Sequence, residues 1–505
     1  MVGSDSTPFS RTEGATAPHN SVSRTIMTSD HLSKDGDSSS SNLSRAKSPF
    51  ITKSNGRTYL ADPTLPYPLP VDIHELHRQS LRSLLLFQLF GGPVCSPSFA
   101  NKPPTRVLDL GCGYGFWSLM CHSYYSRKGH TNIHFTGLDI APLGGIAGIP
   151  INQGCSAATK DKASATPVYG NWAEQPPDKN MRWDFVQHDL RVLPLPFPDE
   201  EFDLIMGKDL SLAVSTPQYQ ALMDEYIRIL KPGGTLELWE CDHPIRMLRP
   251  HVPDTPPATA SGSSSSLMHE SGGSSGGRLE KAVSDSNLSS SAGGNISSSS
   301  LAAAKKSDYE KEIAELGAYV ISNNTPLSGP QNNFLIEYNG WMNKYLEAHQ
   351  LLAFPCANLG AILIQEPLLT NNGSKRLAIP LSEVRWEREG VGGVVTKDGK
   401  SYIDTSKAIG KAPTAKRPSE SADPDKKAKS LSPGQLALRQ TALQTVVQFI
   451  EGMEPALRKV SGKKQDEWDV WMDKLMKELI ERDGTNCGEC LEVGAWWARK
   501  VQNPS

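Results

Sequence analysis

At 505 residues the chain has room for two or three domains, yet only 38% of it is hydrophobic, so much of the length cannot be core. A formal net charge of −3 argues against a general nucleic-acid binder, and no apolar run approaches the ~20 residues of a membrane span. The eight cysteines are scattered, and the N-terminus lacks a charged-then-apolar leader, so a reduced cytoplasmic or nuclear setting is expected.

Residues 1–55, rich in Ser, Thr, Asp and Gly, are expected to form a disordered tail. Residues 56–100 read as a helical lid. Its proline-rich lead-in, Tyr59 to Pro70, precedes an amphipathic helix over Val71 to Phe90, with apolar Ile73, Leu76, Leu81, Leu84, Leu85 and Leu89. Gly91, Gly92 and Pro93 stop it.

Residues 101–250 carry the main motifs. Arg106 to Leu110 is a short apolar strand holding Asp109. Gly111, Gly113 and Gly115 follow at alternate positions, with Cys112 between the first two, and a helix then runs from Phe116 to Tyr124. Glycine tolerates positive φ and keeps a Cβ out of a ligand's way, so strand, bare turn and helix N-terminus suit a nucleotide-like molecule. Phe135 to Ile140 is a second strand ending in Asp139, where an acid would meet ribose hydroxyls. From Asp139 to Trp183 a Gly/Ala/Pro-rich stretch reads as a long loop, with a turn of helix near Tyr169 to Glu174. It either shapes a substrate pocket or is a plain surface insertion. Phe185 to Leu190, ending in Asp189, is a third strand, and Phe202 to Met206 a fourth. Thr216-Pro217 starts a helix, with threonine as the cap, whose buried face is Leu222, Tyr226, Ile229 and Leu230. Pro232-Gly233-Gly234 leads into a fifth strand that runs to Glu240, Cys241, Asp242 and His243.

Residues 251–306 form a serine- and glycine-rich insert that cannot bury a core. Residues 307–394 resume the core: mostly helix from Tyr309 to Leu352, a sixth strand at Leu359 to Ile364 and a further strand at Leu377 to Trp386. Residues 395–431 read as a disordered basic linker in which Lys416-Arg417 and Lys426-Lys427-Ala428-Lys429 resemble a two-part nuclear import signal. In residues 432–505, Ser432 and Gln435 make a capping box for a helix to about Val460. A second helix, Gln465 to Arg482, carries Trp468, Trp471, Leu475 and Leu479 on one face, and Glu492 to Ala498 is a last strand. His74 and His77 on the lid helix, and Cys487-x-x-Cys490, lack further ligands at metal-binding spacing, so no metal is expected.

The five strand motifs, in this order from Arg106 to Glu240, resemble the class I S-adenosylmethionine (SAM)-dependent methyltransferases. Phe116 stands where the dinucleotide fingerprint wants glycine or alanine, which disfavours a nicotinamide oxidoreductase. The lead-in Tyr67, Pro68, Pro70, Asp72, Glu75 and Arg78 is similar to the Y-x-x-P-x-D-x-x-E-x-x-R of fungal LaeA-like methyltransferases, a group linked to secondary metabolism and development, some with velvet-family partners. Tyr67 is one residue nearer the proline than that pattern, Gln79-Ser80 replace its next residues, and the glycine loop reads DLGCGYGFW rather than DIGTGTGIW.

The resemblance implies a doubly wound α/β fold with a seven-stranded Rossmann-like sheet and SAM as cofactor. Its seventh strand slots antiparallel between the fifth and sixth; Glu492 to Ala498 is the candidate, with Leu377 to Trp386 as the alternative. It further implies that Gly111, Cys112, Gly113 and Gly115 let the backbone approach the methionine end, and that Asp109 orders the loop or meets the SAM ammonium. Asp139 would accept the ribose hydroxyls. Ile140 and Leu190 would sandwich adenine, and Asp189 would take its amine. Asp209, Glu240 and His243, beyond the fourth and fifth strands, are the catalytic candidates, with His243 as a general base. Two functions stay open: a methyltransferase acting on a small molecule or protein, and a regulatory scaffold of the same fold working through protein partners. Neither direct nucleic-acid nor membrane contact is expected.

Overall fold

The computed structural model of the chain describes residues 50–100, 102–143, 178–249, 308–323, 325–389 and 430–502. A hairpin, β1 (Phe50–Thr52) and β2 (Thr58–Leu60), leads into α1 (Ile73–Phe90). The Asp72 carboxylate accepts the Glu75 amide at the start of α1, and Gly91 at φ 80° closes its end. Then come β3 (Arg106–Leu110), α2 (Phe116–Ser126), β4 (His134–Asp139), β5 (Arg182–Gln187), β6 (Phe202–Lys208), α3 (Thr216–Ile229), β7 (Leu230–Cys241) and β8 (Arg246–Leu248). Residues 308–316 form α4. They are followed by β9 (Tyr319–Val320), β10 (Leu327–Ser328), α5 (Asn333–Ala348), α6 (Pro355–Gln365), β11 (Leu369–Pro380) and α7 (Arg385–Glu389). The chain ends with α8 (Pro433–Gly452), α9 (Glu454–Ser461), α10 (Gln465–Met476) and β12 (Glu489–Lys500).

Strands β5, β4, β3, β6 and β7 lie side by side in parallel. Strand β12 then pairs antiparallel with β7 on one edge and with β11 on the other. This is the order that the class I resemblance implies, with the last strand of the chain inside the sheet. Alternation along the strands feeds two cores: Val107 packs on the side of α2, α5 and α8, whereas Leu108 and Leu110 pack on the side of α3 and α6.

The sixth strand is not at Leu359 to Ile364. Those residues lie in α6, which Pro355 opens; Cys356, Leu359 and Leu363 are buried at helical spacing, while Ile364 is 69% exposed. The sixth strand is β11, which begins in the polar run Thr370 to Arg376 and ends at Pro380. The further strand expected at Leu377 to Trp386 is its inner end, and Trp386 belongs to α7. The cap of α3 is Ser215, one residue before Thr216, and the helix expected to reach Val460 divides at Met453 into α8 and α9. Strand β1 begins at Phe50, inside the stretch read as tail. Cys490 is buried in β12. The expected helical turn at Tyr169 to Glu174, the Ser/Gly insert and the basic linker lie outside the described residues.

Candidate cofactor and acceptor site

The site grows from the end of β3. Gly111, Gly113 and Gly115 all adopt left-handed φ, at 61°, 59° and 79°. A Cβ on Gly111 would also come within 2.9 Å of the Leu210 side chain, so the turn demands glycine on two counts. The Gly113 amide donates to Asp139 Oδ2 at 2.9 Å, and the Ala141 amide to Oδ1 at 3.2 Å. Asp139 thus ties the glycine turn to the end of β4. Burial raises its pKa to about 6.

Among the described residues, the main cavity opens here, with about 1070 Å³ of empty space including its mouth. Gly111, Gly113, Asp139, Ile140, Asp189, Leu190, Asp209 and His243 all line it. Its size suits a drug-sized ligand or larger. Asp109 and Cys112 line a smaller adjoining chamber, and Gly115 and Glu240 line neither. Gly115 instead caps α2. Asp109 accepts the Ser118 hydroxyl at 2.7 Å, which fastens β3 to α2, and burial pushes its pKa up to about 7.

Of the three catalytic candidates, two are occupied by structural work. Asp209 pairs with Lys208 at 2.7 Å and Arg82 at 2.9 Å. Burial would raise its pKa, but those cations outweigh burial and hold it well below the usual carboxylate range. An ionised, doubly paired acid is a poor base. Glu240 Oε1 accepts the amides of Leu210 and Ser211 at 2.7 and 3.0 Å, and Oε2 accepts the Ser211 hydroxyl at 2.6 Å. It folds the turn after β6 and does not face the cavity. Burial, then the Asp209 charge, pushes its pKa up to about 8. His243 does face the cavity, stacked on Phe449 with centroids 6.2 Å apart. Its Nε2 lies 3.0 Å from the Ser211 hydroxyl, and its buried Nδ1 has no partner. Burial, then the Arg82 charge, lowers its pKa to about 3, so the ring is neutral.

The lid is built into the site. Leu60, Leu65, Tyr67 and Pro70 line the cavity from the lead-in, and Arg78 and Arg82 from α1. Arg191 latches the lead-in to the sheet: it pairs with Asp62 at 2.6 Å, donates to the Thr64 carbonyl at 2.9 Å, and grips Asp189 at 2.7 Å. Burial would raise the Asp189 pKa, but the Arg191 hydrogen bonds outweigh it and hold the acid low. Asp189 therefore reaches the cavity with its carboxylate already engaged. The sequence reading missed Arg82, Arg191 and Phe449. Arg82 follows Arg78 by one helical turn and could have been found that way; the other two meet the site only through tertiary folding. His74 and His77 are exposed on α1. No group of three or more potential metal-ligating side chains occurs among the described residues.

Comparison with known proteins agrees with this geometry. Residues 168–234 match a family model described as a methyltransferase domain. The stretch runs through β5, β6 and α3 to the Pro-Gly-Gly turn. The secondary metabolism regulator laeA of Aspergillus niger is 38% identical over 93 residues, 18% of this chain and 22% of that protein. A demethylmenaquinone methyltransferase of Listeria monocytogenes is 29% identical over 142 residues, 28% of this chain and 46% of that one. The chain therefore spans less than half the length of these relatives. Among solved structures, the plantazolicin methyltransferase BpumL in complex with S-adenosylhomocysteine (SAH) overlaps 34% of this chain and 51% of its own, at 12% identity and a TM-score of 0.22. That overlap carries no weight beside the strand order. The ordered motifs, the antiparallel seventh strand and the family match over residues 168–234 together support a class I SAM-dependent methyltransferase with a LaeA-like resemblance.

Proposed function

We propose that the protein transfers a methyl group from SAM to a small-molecule acceptor. The observation that carries this reading is one cavity that joins the glycine turn and Asp139 at one end to His243 at the other, beneath a latched lid. A roofed cavity favours a small acceptor over a protein side chain, because the acceptor must share the space with the cofactor.

The residues present fit SAM. The Asp139 carboxylate keeps lone pairs beyond the two amides it accepts, which suits the ribose hydroxyls, and Ile140 and Leu190 supply apolar walls for adenine. Bound SAM supplies an electrophilic methyl on a sulfonium whose leaving thioether is neutral. The chain's task is then to align the acceptor, exclude water and take up a proton where the acceptor carries one. With Glu240 ionised, the Ser211 hydroxyl donates to it, so the Ser211 oxygen accepts from His243 Nε2–H. That tautomer leaves the Nδ1 lone pair bare, the arrangement a general base needs. Burial and the Arg82 charge disfavour the imidazolium so formed, and the Asp209 carboxylate offsets part of that.

The similarity to the Aspergillus niger secondary metabolism regulator supports a regulatory output; velvet-like protein partners and a cytoplasmic or nuclear setting belong to the same proposal. Calorimetric titration with SAM, SAH and NAD tests the cofactor; binding of NAD alone would overturn the assignment. Labelled-methyl transfer into a cell extract, resolved by size, tests the acceptor. Label only in protein-sized products defeats the small-molecule reading, and no label at all, in a protein that binds SAM, favours a scaffold.

A further inference from the structure

Helix α1 turns two different rows of side chains toward the ligand space. Gln79, Ser80 and Ser83 face the glycine turn and line the smaller chamber with Asp109 and Gly111. Arg78 and Arg82, one turn apart on the adjacent row, line the main cavity with Cys241 and His243, beyond the end of β7. Gln79, Gly111 and Gly113 line the main cavity as well, but Arg82 also lines a small pocket with Cys241, His243 and Phe449, which puts the arginine pair at the His243 end.

Both are 3–4% exposed, and among the described residues both carry donors without a hydrogen-bond partner. The Nε and Nη2 of Arg78 chelate Glu75 at 2.9 and 2.6 Å, yet its Nη1 has no hydrogen-bond partner. Arg82 Nη2 lies 2.9 Å from Asp209 without hydrogen-bond alignment, and its Nε is also unpartnered. Buried guanidinium donors left unmade are costly, the more so for a charged group. At this end of the cavity three cations, Arg78, Arg82 and Lys208, meet two carboxylates, Glu75 and Asp209. One positive charge is in excess while Glu240 and Asp109, which act on Arg82 and Lys208 and whose pKa values burial raises to about 8 and about 7, keep their protons. Beside it, Phe449, which Arg78 approaches to 5.4 Å, presents an apolar wall.

We propose that the acceptor is a small monocarboxylate with an apolar body, its anion held by Arg78 Nη1 and Arg82. A single excess charge matches a carboxylate better than a phosphate ester of charge about −2 at neutral pH. The guanidinium fork is the donor suited to a planar carboxylate. This rests on the methyltransferase reading for the words acceptor and cofactor, but the anion site itself is testable alone.

The probe is benzoate, with benzamide as its neutral match, titrated calorimetrically into the full chain with and without saturating SAH. Benzoate is expected to bind in both conditions and benzamide at least tenfold more weakly. The double variant Glu75→Gln/Arg78→Gln removes the buried ion pair as a unit, so no charge is stranded. It should lose benzoate binding at least tenfold while keeping SAH affinity within threefold. Arg82→Lys keeps the charge facing Asp209 and should lose severalfold. Equal binding of benzoate and benzamide overturns the proposal, as does full benzoate affinity in the double variant. Competition between SAH and benzoate, with SAH affinity lost in the same variant, also overturns it, by assigning the arginines to the cofactor's own carboxylate. Absence of SAH binding alongside arginine-dependent benzoate binding would defeat the methyltransferase reading and leave the anion site standing.

Discussion

Replacing Asp139 with alanine tests the cofactor end at its most informative atom pair. In the folded protein this carboxylate accepts two backbone amides and faces the cavity. Each charge-assisted hydrogen bond to a ribose hydroxyl contributes about 1.5–3 kcal/mol, so losing even one weakens SAH binding about tenfold or more. The Gly113 and Ala141 amides also lose their acceptor, at about 1 kcal/mol each. Loss of a buried carboxylate offsets part of that cost, and the variant should stay folded. The pH dependence separates the two effects. Because burial raises the Asp139 pKa to about 6, the wild type should lose SAH affinity as pH falls below about 6, by up to tenfold per unit. Stability moves the other way through this group. A raised acid pKa means the native state takes the proton more readily than the unfolded chain, so protonation below about 6 favours the fold. Calorimetry from pH 5 to 8 on wild type and Asp139→Asn should show a steep limb in the first and a flat one in the second. Any step near pH 7 belongs to Asp109 and should survive in both. Wild-type SAH affinity in a folded Asp139→Ala protein, or the same acid limb in both proteins, would refute the ribose assignment.

Three more outcomes follow from the same geometry. Arg191→Ala releases Asp62, Thr64 and Asp189 together, and should speed SAH dissociation about five- to tenfold in stopped-flow while leaving the melting temperature nearly unchanged. Glu240 loses its proton only as pH rises through its raised pKa of about 8, so turnover on a protonated acceptor should climb across that range; Glu240→Gln should abolish the climb, and an unaltered pH–rate profile would remove His243 from the proton path. Deleting residues 491–505 takes out most of the strand between β7 and β11, together with Trp496 at 3% exposure, and should abolish soluble expression; a soluble, SAH-binding protein ending at Cys490 would contradict the sheet order.

What was legible in the sequence is what local chemistry dictates. Three glycines at alternate positions need positive φ in any fold, and an acid at a strand end needs partners, so the turn and Asp139 were visible at once. The last strand was visible because Trp496 and Trp497 stand in an apolar run near the end of the chain. The sixth strand was not. Its outer half, Thr370 to Arg376, is mostly exposed and polar, whereas the apolar run at Leu359 to Ile364 is short enough to read with either period. At the site, Glu75 and Arg78 were readable as a spaced pair, but their orphan donors were not, since these depend on what the rest of the chain leaves unfilled. Asp189 shows the same limit in reverse. Its position suggested a ligand contact, and only the fold reveals that Arg191 already holds it.

The C-terminal segment, far from the glycine turn in sequence, supplies one wall of the cavity. Helix α8 packs on α1 and brings Phe449 to the wall opposite the strand ends. The Tyr59 hydroxyl of the lid donates to the Gly452 carbonyl at the end of α8, and the Tyr345 hydroxyl of α5 donates to the Pro66 carbonyl. The lead-in is thus pinned from three directions: by Arg191 on the sheet, by α5 and by α8. The same segment continues into β12, which lies in the sheet between β7 and β11. Completing the sheet and walling the cavity therefore fall to one C-terminal segment. The cavity is thus shaped by residues that flank the strand motifs in sequence, such as Tyr67, Arg78, Arg82 and Phe449, as well as by the motifs themselves. Relatives that share only the glycine turn and strand motifs share the means of holding the cofactor, and need not share the wall formed by Arg78, Arg82 and Phe449 that would choose the acceptor.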